Sequence, residues 1–568
     1  MSDHAVHSPM IYECIDRLAQ LDKRGHTYLE AGGRSTYRSY AQLVELARTI
    51  QAGMIGRGLR QGDRVALVAD NAGSFIPAFL GGVMAGLVIV PISPPPLVGD
   101  RGASYAQQIR RILTVTEARA IVVPADMEQR APSLFGALPA IAYEALAAAT
   151  DRRIPPAAMT SDDVCFLQFT SGSTGDPKGV IVTHGNVAAN VRAIMVDGVG
   201  INDDDVGVSW LPLFHDMGLI GKVLAPLIHS TEMVYLPTSS FIKNPNGWLE
   251  AVSRHKGSIT FASNFAFALA TKHFKRRPKP LSLSSLRVVG CGAEPINADV
   301  LRDFIDTFAP YGLRAEAVMP CYGMAEATLA VSFDSLQHPP REISIDRHIY
   351  EIEHRVAPAT RGTDAEHCVR LVACGRPFPL HQLAIVDQYR DALPEGWVGQ
   401  IAVRGPSLTT GYYRNPVATA STYIDGWLMT GDLGFMLDGE LYVSGRIKDL
   451  IIVNGRNYYP QDLEWVVEQV TGVRRGSVAA FATAGQDTEQ VVIVAEVKRN
   501  EQYDELSAAI RSEVSGKAGL VVDEIVLVPP GTLPKSTSGK IQRQRARGQY
   551  QQGEFRALME EEAEESAV

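Results

Sequence analysis

The stretch best suited to bind an anion is residues 170–179, which read Thr-Ser-Gly-Ser-Thr-Gly-Asp-Pro-Lys-Gly. Glycines let the main chain approach a ligand closely, and hydroxyl and backbone N–H groups can donate hydrogen bonds to phosphate oxygens. The spacing is not that of a Walker loop, because the second glycine of that pattern would fall at Pro177. A flexible Ser/Gly turn is the alternative interpretation. The residues that we expect to hold phosphate are Thr170, Ser171, Gly172, Ser173, Thr174, Gly175 and Lys178.

Other residues that could do chemistry follow apolar runs that indicate buried strands. His215 comes soon after the run 207–211, and Tyr322 and Glu326 follow the run 317–320. Open α/β sheets bind ligands at the carboxyl ends of their strands. A tyrosine ring can stack on a base, and a glutamate can hold a hard cation through oxygen. A lone histidine is more often structural and Tyr-Gly is more often a turn, but together with the phosphate loop these residues indicate a nucleotide pocket.

The pattern of helix and strand signals around these residues predicts a doubly wound α/β sheet. Ser39 and Gln42 form a capping box before a helix predicted to end near residue 57. The apolar run 65–68 is typical of a parallel strand that is buried on both faces. The uncharged run 75–92 is interrupted by proline and glycine, which favours a buried helix and strand over a transmembrane helix. This alternation of helix and strand continues through 121–123 and implies crossover helices.

In the second half of the chain the pattern changes from alternating helices and strands to short strands separated by turns. We predict that residues 327–330 continue as a helix, and that a small antiparallel β-barrel begins at Gly375. The strands predicted for this barrel are 400–403, 411–413, 427–432 and 440–443. Residues 445–449 look like a domain joint, after which an α+β unit follows. Its predicted helices lie near 462–470 and 503–514, and its predicted strands are 478–481, 491–497 and 524–528.

Composition and charge exclude some classes of protein. The chain has 568 residues, 46% hydrophobic and 21% charged, with a formal net charge of -9. This charge argues against a nucleic-acid-binding surface, which would need a basic stripe. The 6 cysteines show no C-x2-C spacing, and the first residues lack a basic segment followed by an apolar one. We therefore expect a reducing, cytoplasmic location without a secretory signal.

With these segments in view, the chain resembles the adenylate-forming enzymes, a superfamily that includes acyl-CoA synthetases, luciferases and nonribosomal adenylation domains. The resemblance covers nearly the whole chain and rests on motifs in family order. These are the 170–179 run, Gly-Ala-Glu-Pro at 292, Tyr-Gly-Met-Ala-Glu at 322, Thr-Gly-Asp at 430, Gly-Arg-Ile-Lys-Asp at 445 and Gly-Lys at 539. Within the superfamily it is most similar to the fatty acyl-AMP ligases. The reasons are His-Asp-Met-Gly-Leu at 215, Asn-Phe-Ala-Phe at 264 and a long spacer at 334–367.

The resemblance implies a two-step activity with ATP and Mg²⁺ as cofactors. A fatty acid would form acyl-AMP with release of pyrophosphate, and the acyl group would pass to an acyl carrier protein or to a carrier domain of a polyketide or nonribosomal synthase. It also implies a large N-terminal domain, 1–446, and a small mobile C-terminal domain, 447–568. The 334–367 insertion would hinder use of CoA, although it could be an ordinary surface excursion. A fatty acyl-CoA synthetase, an enzyme for another acid and a non-catalytic nucleotide-binding regulator remain alternatives, and no nucleic acid or stable membrane insertion is expected.

The resemblance further assigns roles to single residues. Lys540 would be catalytic, His215 would orient the acyl carboxylate, and Lys448 would be the hinge. The nucleotide would be held by Gly292, Ala293, Glu294, Tyr322, Gly323, Met324, Ala325, Asp432 and Arg446, and the metal by Glu326 with Thr174. Ala325 stands where other adenylating enzymes commonly have threonine. The Phe- and Ala-rich run 261–269 is a candidate lining of the acyl pocket or, equally, a core helix.

Overall fold

Two mainly parallel sheets with connecting helices account for most of the chain before residue 380. The computed structural model describes residues 9–30, 33–95, 101–148, 154–170, 177–359, 367–484, 489–498, 503–535 and 539–555, with the backbone alone for 101–104. The strands up to the phosphate loop are β1 (Gly25–Leu29), β2 (Ser35–Ser39), β3 (Arg64–Val68), β4 (Val88–Ile92), β5 (Ala120–Val123), β6 (Ala140–Ala142) and β7 (Val164–Thr170). After it come β8 (Lys178–Thr183), β9 (Val206–Ser209), β10 (Glu232–Tyr235), β11 (Ile259–Ala262), β12 (Val288–Cys291), β13 (Val318–Gly323), β14 (Ala330–Phe333), β15 (Glu342–Asp346), β16 (Cys368–Val372) and β17 (Arg376–Pro377).

Helices connect these strands as the alternating pattern predicts. They are α1 (Ile15–Leu18), α2 (Tyr40–Gly56), α3 (Ala72–Met84), α4 (Arg101–Thr116), α5 (Ala125–Glu128), α6 (Ala131–Phe135), α7 (Tyr143–Ala147), α8 (His184–Arg192), α9 (Asp216–Leu219), α10 (Ala225–His229), α11 (Thr238–Lys243), α12 (Asn246–His255), α13 (Asn264–Arg276), α14 (Ala298–Phe308) and α15 (Arg347–Ile352). The predicted capping box of α2 is confirmed, since Gln42 N–H donates to Ser39 Oγ and Ser39 N–H donates to Gln42 Oε1. The uncharged run is α3 followed by β4, as predicted.

Strand order brings the candidate site residues to shared sheet edges. The larger sheet has 9 strands in the order β17-β14-β13-β12-β11-β9-β10-β1-β2, and the second has 6 in the order β6-β5-β3-β4-β7-β8. β9, β11, β12 and β13 run parallel, so the segments that follow them meet at one edge. The antiparallel pair of β7 and β8 brackets the phosphate loop.

Two local predictions are wrong. Residues 327–330 do not continue as a helix, because a short 3-10 turn at Ala325–Ala327 is followed by β14, which pairs between β13 and β17. Residues 411–413 do not form a strand and make only one isolated bridge, between Val180 and Tyr412. Gly411 has φ of +129°, a conformation that extended L-residues do not adopt. In both places sheet packing and backbone geometry outweigh local propensity.

A small antiparallel sheet follows, where the sequence predicts a small antiparallel β-barrel. Its 5 strands are β18 (Gln382–Val386), β19 (Gly399–Arg404), β20 (Tyr423–Ile424), β21 (Trp427–Leu437) and β22 (Glu440–Arg446), and α16 (Pro416–Thr422) precedes β20. Its apolar side chains share a cluster with Tyr322 and Ala327, so this sheet is packed against the end of β13.

The last part of the chain, here called the C-terminal unit, has a core of its own. It comprises β23 (Ile451–Val453), β24 (Arg456–Tyr458), α17 (Pro460–Val467), β25 (Val473–Ala484), β26 (Glu489–Val497), α18 (Tyr503–Ala518), β27 (Glu524–Val528) and α19 (Arg543–Gln551). The predicted helices and strands are present, and β23, β24 and α19 are additions. A 3-10 turn, Ile447–Asp449, joins this unit to β22. Among the residues described, no helix has both the length and the apolar character required to cross a membrane.

Candidate active site

A cleft of about 2540 Å³ lies between the C-terminal unit and the rest of the chain. With the exception of Gly292, every predicted site residue that the structure describes lines this cleft. These residues are Thr170, Lys178, His215, Ala293, Glu294, Tyr322, Gly323, Met324, Ala325, Glu326, Asp432, Arg446, Lys448 and Lys540. Residues distant in sequence are therefore brought together, as the resemblance implies.

The two ends of the phosphate loop are fixed by a strand pair. Thr170 ends β7, Lys178 begins β8, and the two are direct partners in the antiparallel register. The Lys178 Nζ atom lies 4.8 Å from the centroid of the Tyr412 ring, which supports the ammonium by a cation–π contact. The predicted phosphate contacts of Ser171, Gly172, Ser173, Thr174 and Gly175 lie outside the described residues.

Asp432 is held in a fixed orientation by two neighbours. The Tyr322 hydroxyl donates to Asp432 Oδ2 at 2.8 Å, and Arg446 Nε donates to Oδ1 at 3.1 Å. Burial, followed by the nearby Asp432 charge, holds the pKa of Tyr322 well above its ordinary value, so its hydroxyl keeps the proton that it donates. Strand pairing of Asp432 with Arg446 across β21 and β22 creates this geometry. A carboxylate set in this way can accept hydrogen bonds from a pair of ligand hydroxyls.

Glu326 is positioned by Tyr412, which the sequence analysis had not assigned to the site. The Tyr412 hydroxyl donates to Glu326 Oε1 at 2.7 Å, and Thr409 donates to the Glu326 carbonyl at 3.0 Å. The ring of Tyr412 also makes the cation–π contact with Lys178. One tyrosine therefore links the phosphate loop to the candidate metal ligand. Among the described residues, no group of three or more His, Cys, Asp and Glu side chains is arranged to hold a metal.

His215 forms a close pair with its neighbour Asp216 at the start of α9. The His215 Nδ1 atom lies 2.6 Å from Asp216 Oδ1. Although burial alone would raise the pKa of Asp216, His215 and then Lys540 hold it below its ordinary value. The side-chain amide of Gln168, near the end of β7, donates to the carbonyl of Phe214 at 2.8 Å and anchors this segment beside the phosphate loop.

Lys540 enters the cleft from the C-terminal unit. Loss of hydration lowers the pKa of its ammonium, while the carboxylates of Asp216 and Glu294 act in the opposite direction. Glu294 accepts a hydrogen bond from the Phe265 N–H at 2.7 Å, and burial raises its pKa. Gly539, with φ of +86°, lies against the Phe265 ring, so a β-carbon there would be 3.6 Å from Phe265 Cε1. The lysine is thus a cation among carboxylates in a poorly hydrated cleft.

Gly292 lies beneath the wall of the cleft instead of lining it. A β-carbon at this position would be 2.6 Å from Cys321 Sγ and 2.8 Å from the Cys321 carbonyl oxygen. The glycine therefore permits close approach of the segments after β12 and β13, and Ala293, with φ of +72°, turns the chain toward the cleft.

Helix α13, which covers most of the 261–269 run, has one face on the cleft and another in the core. Phe265, Ala268 and Leu269 line the cleft, whereas Ala266 and Phe267 are buried in the core. The spacing of the first three positions is that of one face of a helix. The helix therefore contributes apolar side chains to the cleft on one face and is fixed by the core on the other.

Comparisons with known proteins agree with this geometry. The profile of the family described as AMP-binding enzyme matches residues 17–413, and that of the AMP domain of Disco-interacting protein 2-like proteins matches 448–560. A protein of Caulobacter vibrioides provisionally named an acyl-CoA synthetase is 34% identical over 96% of each chain. The long-chain-fatty-acid AMP ligase FadD26 of Mycobacterium bovis is 34% identical over 98% of this chain and 99% of its own.

Among solved structures, a fatty acyl-adenylate ligase from work on the E. coli and L. pneumophila enzymes superimposes with a TM-score of 0.90. It is 33% identical and covers 96% of this chain and 98% of its own. The match extends over both the large sheets and the C-terminal unit. By sequence and by fold, the chain belongs to the family of AMP-binding enzymes.

Proposed function

We propose that this protein activates a fatty acid with ATP to form acyl-AMP and then transfers the acyl group to the phosphopantetheine thiol of an acyl carrier protein. The observation that carries the proposal is the entry of Lys540 into the cleft that also contains Lys178 and Asp432. The AMP ligase named among the relatives and the fatty acyl-adenylate ligase among the solved structures support the same reaction.

The first step forms one bond and breaks another without moving a proton. A carboxylate oxygen of the fatty acid attacks the α-phosphorus of ATP, and the bond from that phosphorus to the bridging oxygen of pyrophosphate breaks. Because two anions must approach each other, catalysis depends on positioning and on stabilising charge. Lys540 can neutralise charge between the carboxylate and the α-phosphate, while Lys178 and the 170–175 loop hold the phosphates. Asp432, held by Tyr322 and Arg446, accepts hydrogen bonds from the ribose hydroxyls.

Mg²⁺ fits the donor set on one side of this cleft. Glu326 presents a carboxylate whose Oε1 is fixed by Tyr412, and oxygen ligands from one carboxylate and from substrate phosphates are typical of Mg²⁺ sites. Thr174 is the predicted second protein ligand. When bound, the ion would offset phosphate charge and hold the phosphate oxygens in line for displacement.

In the second step a thiol replaces AMP. The sulfur attacks the acyl carbonyl carbon, the bond from that carbon to the AMP oxygen breaks, and the thiol proton passes to solvent. For this step the C-terminal unit must turn about Lys448 so that Lys540 leaves and a thiol can enter. We therefore divide the chain into a large N-terminal domain, 1–446, and a small C-terminal domain, 447–568.

Contacts of the 334–367 insertion support a role in restricting that rotation. Its buried Glu351 accepts a hydrogen bond from Arg456 of the C-terminal unit at 2.5 Å, and Arg347 donates to the same carboxylate at 3.0 Å. The ring of Tyr350 stacks on Tyr459 with centroids 5.1 Å apart. The insertion is therefore in direct contact with the C-terminal unit, which supports a role in disfavouring the CoA-using arrangement.

Formation of a fatty acyl-CoA is the second candidate, favoured by the name of the Caulobacter relative. Products from ATP, Mg²⁺ and a series of fatty acids, chromatographed with no acceptor, with CoA and with a phosphopantetheinylated carrier protein, distinguish the two. We expect acyl-AMP to accumulate without an acceptor, little change with CoA, and acyl transfer to the carrier protein. Steady turnover to acyl-CoA would reverse this order, and an absence of acyl-AMP and pyrophosphate with every acid would contradict both.

A further inference from the structure

A buried lysine lies in the wall of the cleft on the helical segment that follows His215. Lys222 belongs to the π-helical turn Ile220–Leu224, which continues α9, and is 4% exposed. It lines the cleft together with Met217, Gly218 and Gly221. At a rise of about 1.5 Å per residue, the seven-residue spacing places Lys222 roughly 10 Å beyond His215 along the helix.

The surroundings of the Lys222 ammonium are apolar. Its Nζ atom lies 4.2 Å from the centroid of the Phe261 ring, and that ring contacts Phe333 with centroids 5.7 Å apart. Leu329 approaches Gly221, where a β-carbon would be 3.3 Å from Leu329 Cδ2. Phe261, Leu329 and Phe333 all line the same cleft. This is the kind of wall that an alkyl chain would contact.

The described residues place no carboxylate against the Lys222 ammonium. Within the part of the chain that the structure describes, the Lys222 side chain forms no ion pair, and the Cys321 sulfur is the nearby group that favours its charged form. Burial lowers the pKa of Lys222 to about 7. A buried amine without a hydrogen-bonding partner is costly unless a ligand provides one, and the Phe261 face offers only partial compensation.

We propose that Lys222 is a specificity residue that binds an oxygen atom carried on the acyl chain of the substrate. The acid would then have, besides the carboxylate that is adenylated, a hydrogen-bond acceptor at the depth of Lys222: a hydroxyl, a keto oxygen or a second carboxylate. This inference rests on the proposed function, since it assumes that the acid enters beside His215 and extends along α9.

The test compares acids that differ only in the position and kind of one oxygen. Pyrophosphate release is measured with dodecanoic acid, with hydroxy- and keto-dodecanoic acids in which the oxygen is moved along the chain, and with dicarboxylic acids of increasing length. At one oxygen position we expect kcat/KM to exceed that for dodecanoic acid by about tenfold or more. The reason is that dodecanoic acid would leave the Lys222 ammonium without a hydrogen-bond acceptor. The class of acid preferred distinguishes a carboxylate from a hydroxyl or keto group.

Substitution of Lys222 distinguishes recognition of the substrate oxygen from a purely structural role of this lysine. Lys222→Met should abolish the preference and improve turnover of dodecanoic acid, whereas Lys222→Gln, which keeps a donor, should retain part of it. Lys243→Met, an exposed lysine on α11, is the matched control and should leave the preference unchanged. If Lys222→Met does not fold, the Lys222→Gln result decides.

Two outcomes would overturn the inference while leaving the proposed function intact. The first is turnover of plain acids with no preference for any oxygenated acid, and the second is a preference that persists in Lys222→Met. Absence of pyrophosphate release with all acids, plain ones included, would instead contradict the proposed function.

Discussion

At the scale of single residues, the site combines cations with carboxylates that also have other hydrogen-bonding partners. Lys540 lies near Asp216 and Glu294, and each of these carboxylates has another partner, His215 for Asp216 and the Phe265 N–H for Glu294. Both carboxylates favour the charged form of Lys540, against the loss of hydration that lowers its pKa. A charged lysine at this position can stabilise anions that enter the cleft.

The pH dependence of adenylation should report the protonation of Lys540. Because desolvation lowers the pKa of this lysine, the ammonium should be lost at a lower pH than for an exposed lysine. We expect the single-turnover rate of acyl-AMP formation to fall as pH rises through this lowered pKa. In Lys540→Arg, where the cation does not titrate, residual activity should persist to higher pH. A pH–rate profile of both proteins is the measurement, and identical alkaline limbs would contradict the assignment.

Orientation of Asp432 should affect binding of ATP more than chemistry. Tyr322→Phe removes the hydroxyl that donates to Asp432 and leaves the rest of the ring in place. Loss of a hydrogen bond to a charged group is worth about 1.5–3 kcal/mol, so we expect KM for ATP to rise by about tenfold or more. Steady-state kinetics with varied ATP measure this change.

Tyr389→Phe, at an exposed tyrosine, is the control for the Tyr322 variant. A fall in kcat with an unchanged KM for ATP would mean that Tyr322 does not act through nucleotide binding.

At the scale of elements, α15 of the 334–367 insertion contacts the hairpin of β23 and β24. Glu351 is buried between Arg347 of its own helix and Arg456 of the hairpin. Tyr350 and Tyr459 share an apolar cluster with strands β16, β21 and β22. The insertion thus couples the hairpin nearest the joint to the rest of the chain.

Weakening this contact should allow CoA to act as acceptor. Arg456→Met removes the partner from the C-terminal unit while Arg347 still compensates Glu351, so the fold should be retained. We expect acyl-CoA formation to increase relative to acyl-AMP accumulation, and deletion of 334–367 to increase it further. Chromatography of both products from the same reactions measures the ratio.

Arg355→Met is the matched control, since this exposed arginine pairs with Glu353 inside the insertion. No gain in CoA thioester in either Arg456→Met or the deletion would remove the gating role from the insertion.

Most elements could be predicted from sequence because their signals are local. Ser39 and Gln42 are three residues apart and cap α2, and the 65–68 run forms β3 as its apolar pattern indicates. β14 could not be predicted, because residues 327–330 favour a helix and only pairing with β13 and β17 makes them extended. The same limit applies to the site. Motif order located Lys540 and Asp432, but the role of Tyr412 depends on a turn that brings it to both Lys178 and Glu326.

At the scale of the whole molecule, the joint around Lys448 is braced by the helix that follows Lys540. Arg543 Nη1 donates to Asp449 Oδ2 at 3.2 Å, and Gln544 Nε2 donates to the Lys448 carbonyl at 2.9 Å. These contacts connect the position of Lys540 to the conformation of the joint. Rotation at the joint would therefore withdraw Lys540 from the cleft. The proposed second half-reaction requires this, because a thiol must enter the same cleft.

Restricting the joint should affect the two half-reactions differently. Lys448→Pro fixes φ near the value of a helical turn, so we expect it to disturb the present 3-10 turn, Ile447–Asp449, less than a rotated joint. We expect acyl-AMP formation to change by less than about threefold and acyl transfer to a thiol to fall by about tenfold or more. Lys448→Ala, without the φ restriction, should support both steps. Equal losses in both steps of Lys448→Pro would contradict a hinge at this residue.

The central claim, that cations from two parts of the chain overcome the repulsion between carboxylate and triphosphate, is tested most directly by single-turnover acyl-AMP formation in the absence of an acceptor. Quenched reactions of ATP and fatty acid would be followed for the unaltered protein, for Lys540→Ala and for Lys517→Ala, a partly exposed lysine on α18 that pairs with Glu513. We predict about one equivalent of acyl-AMP per protein for the unaltered chain and the control, and a rate lower by about a hundredfold or more for Lys540→Ala. Acyl-AMP formation at the same rate in Lys540→Ala would contradict the account.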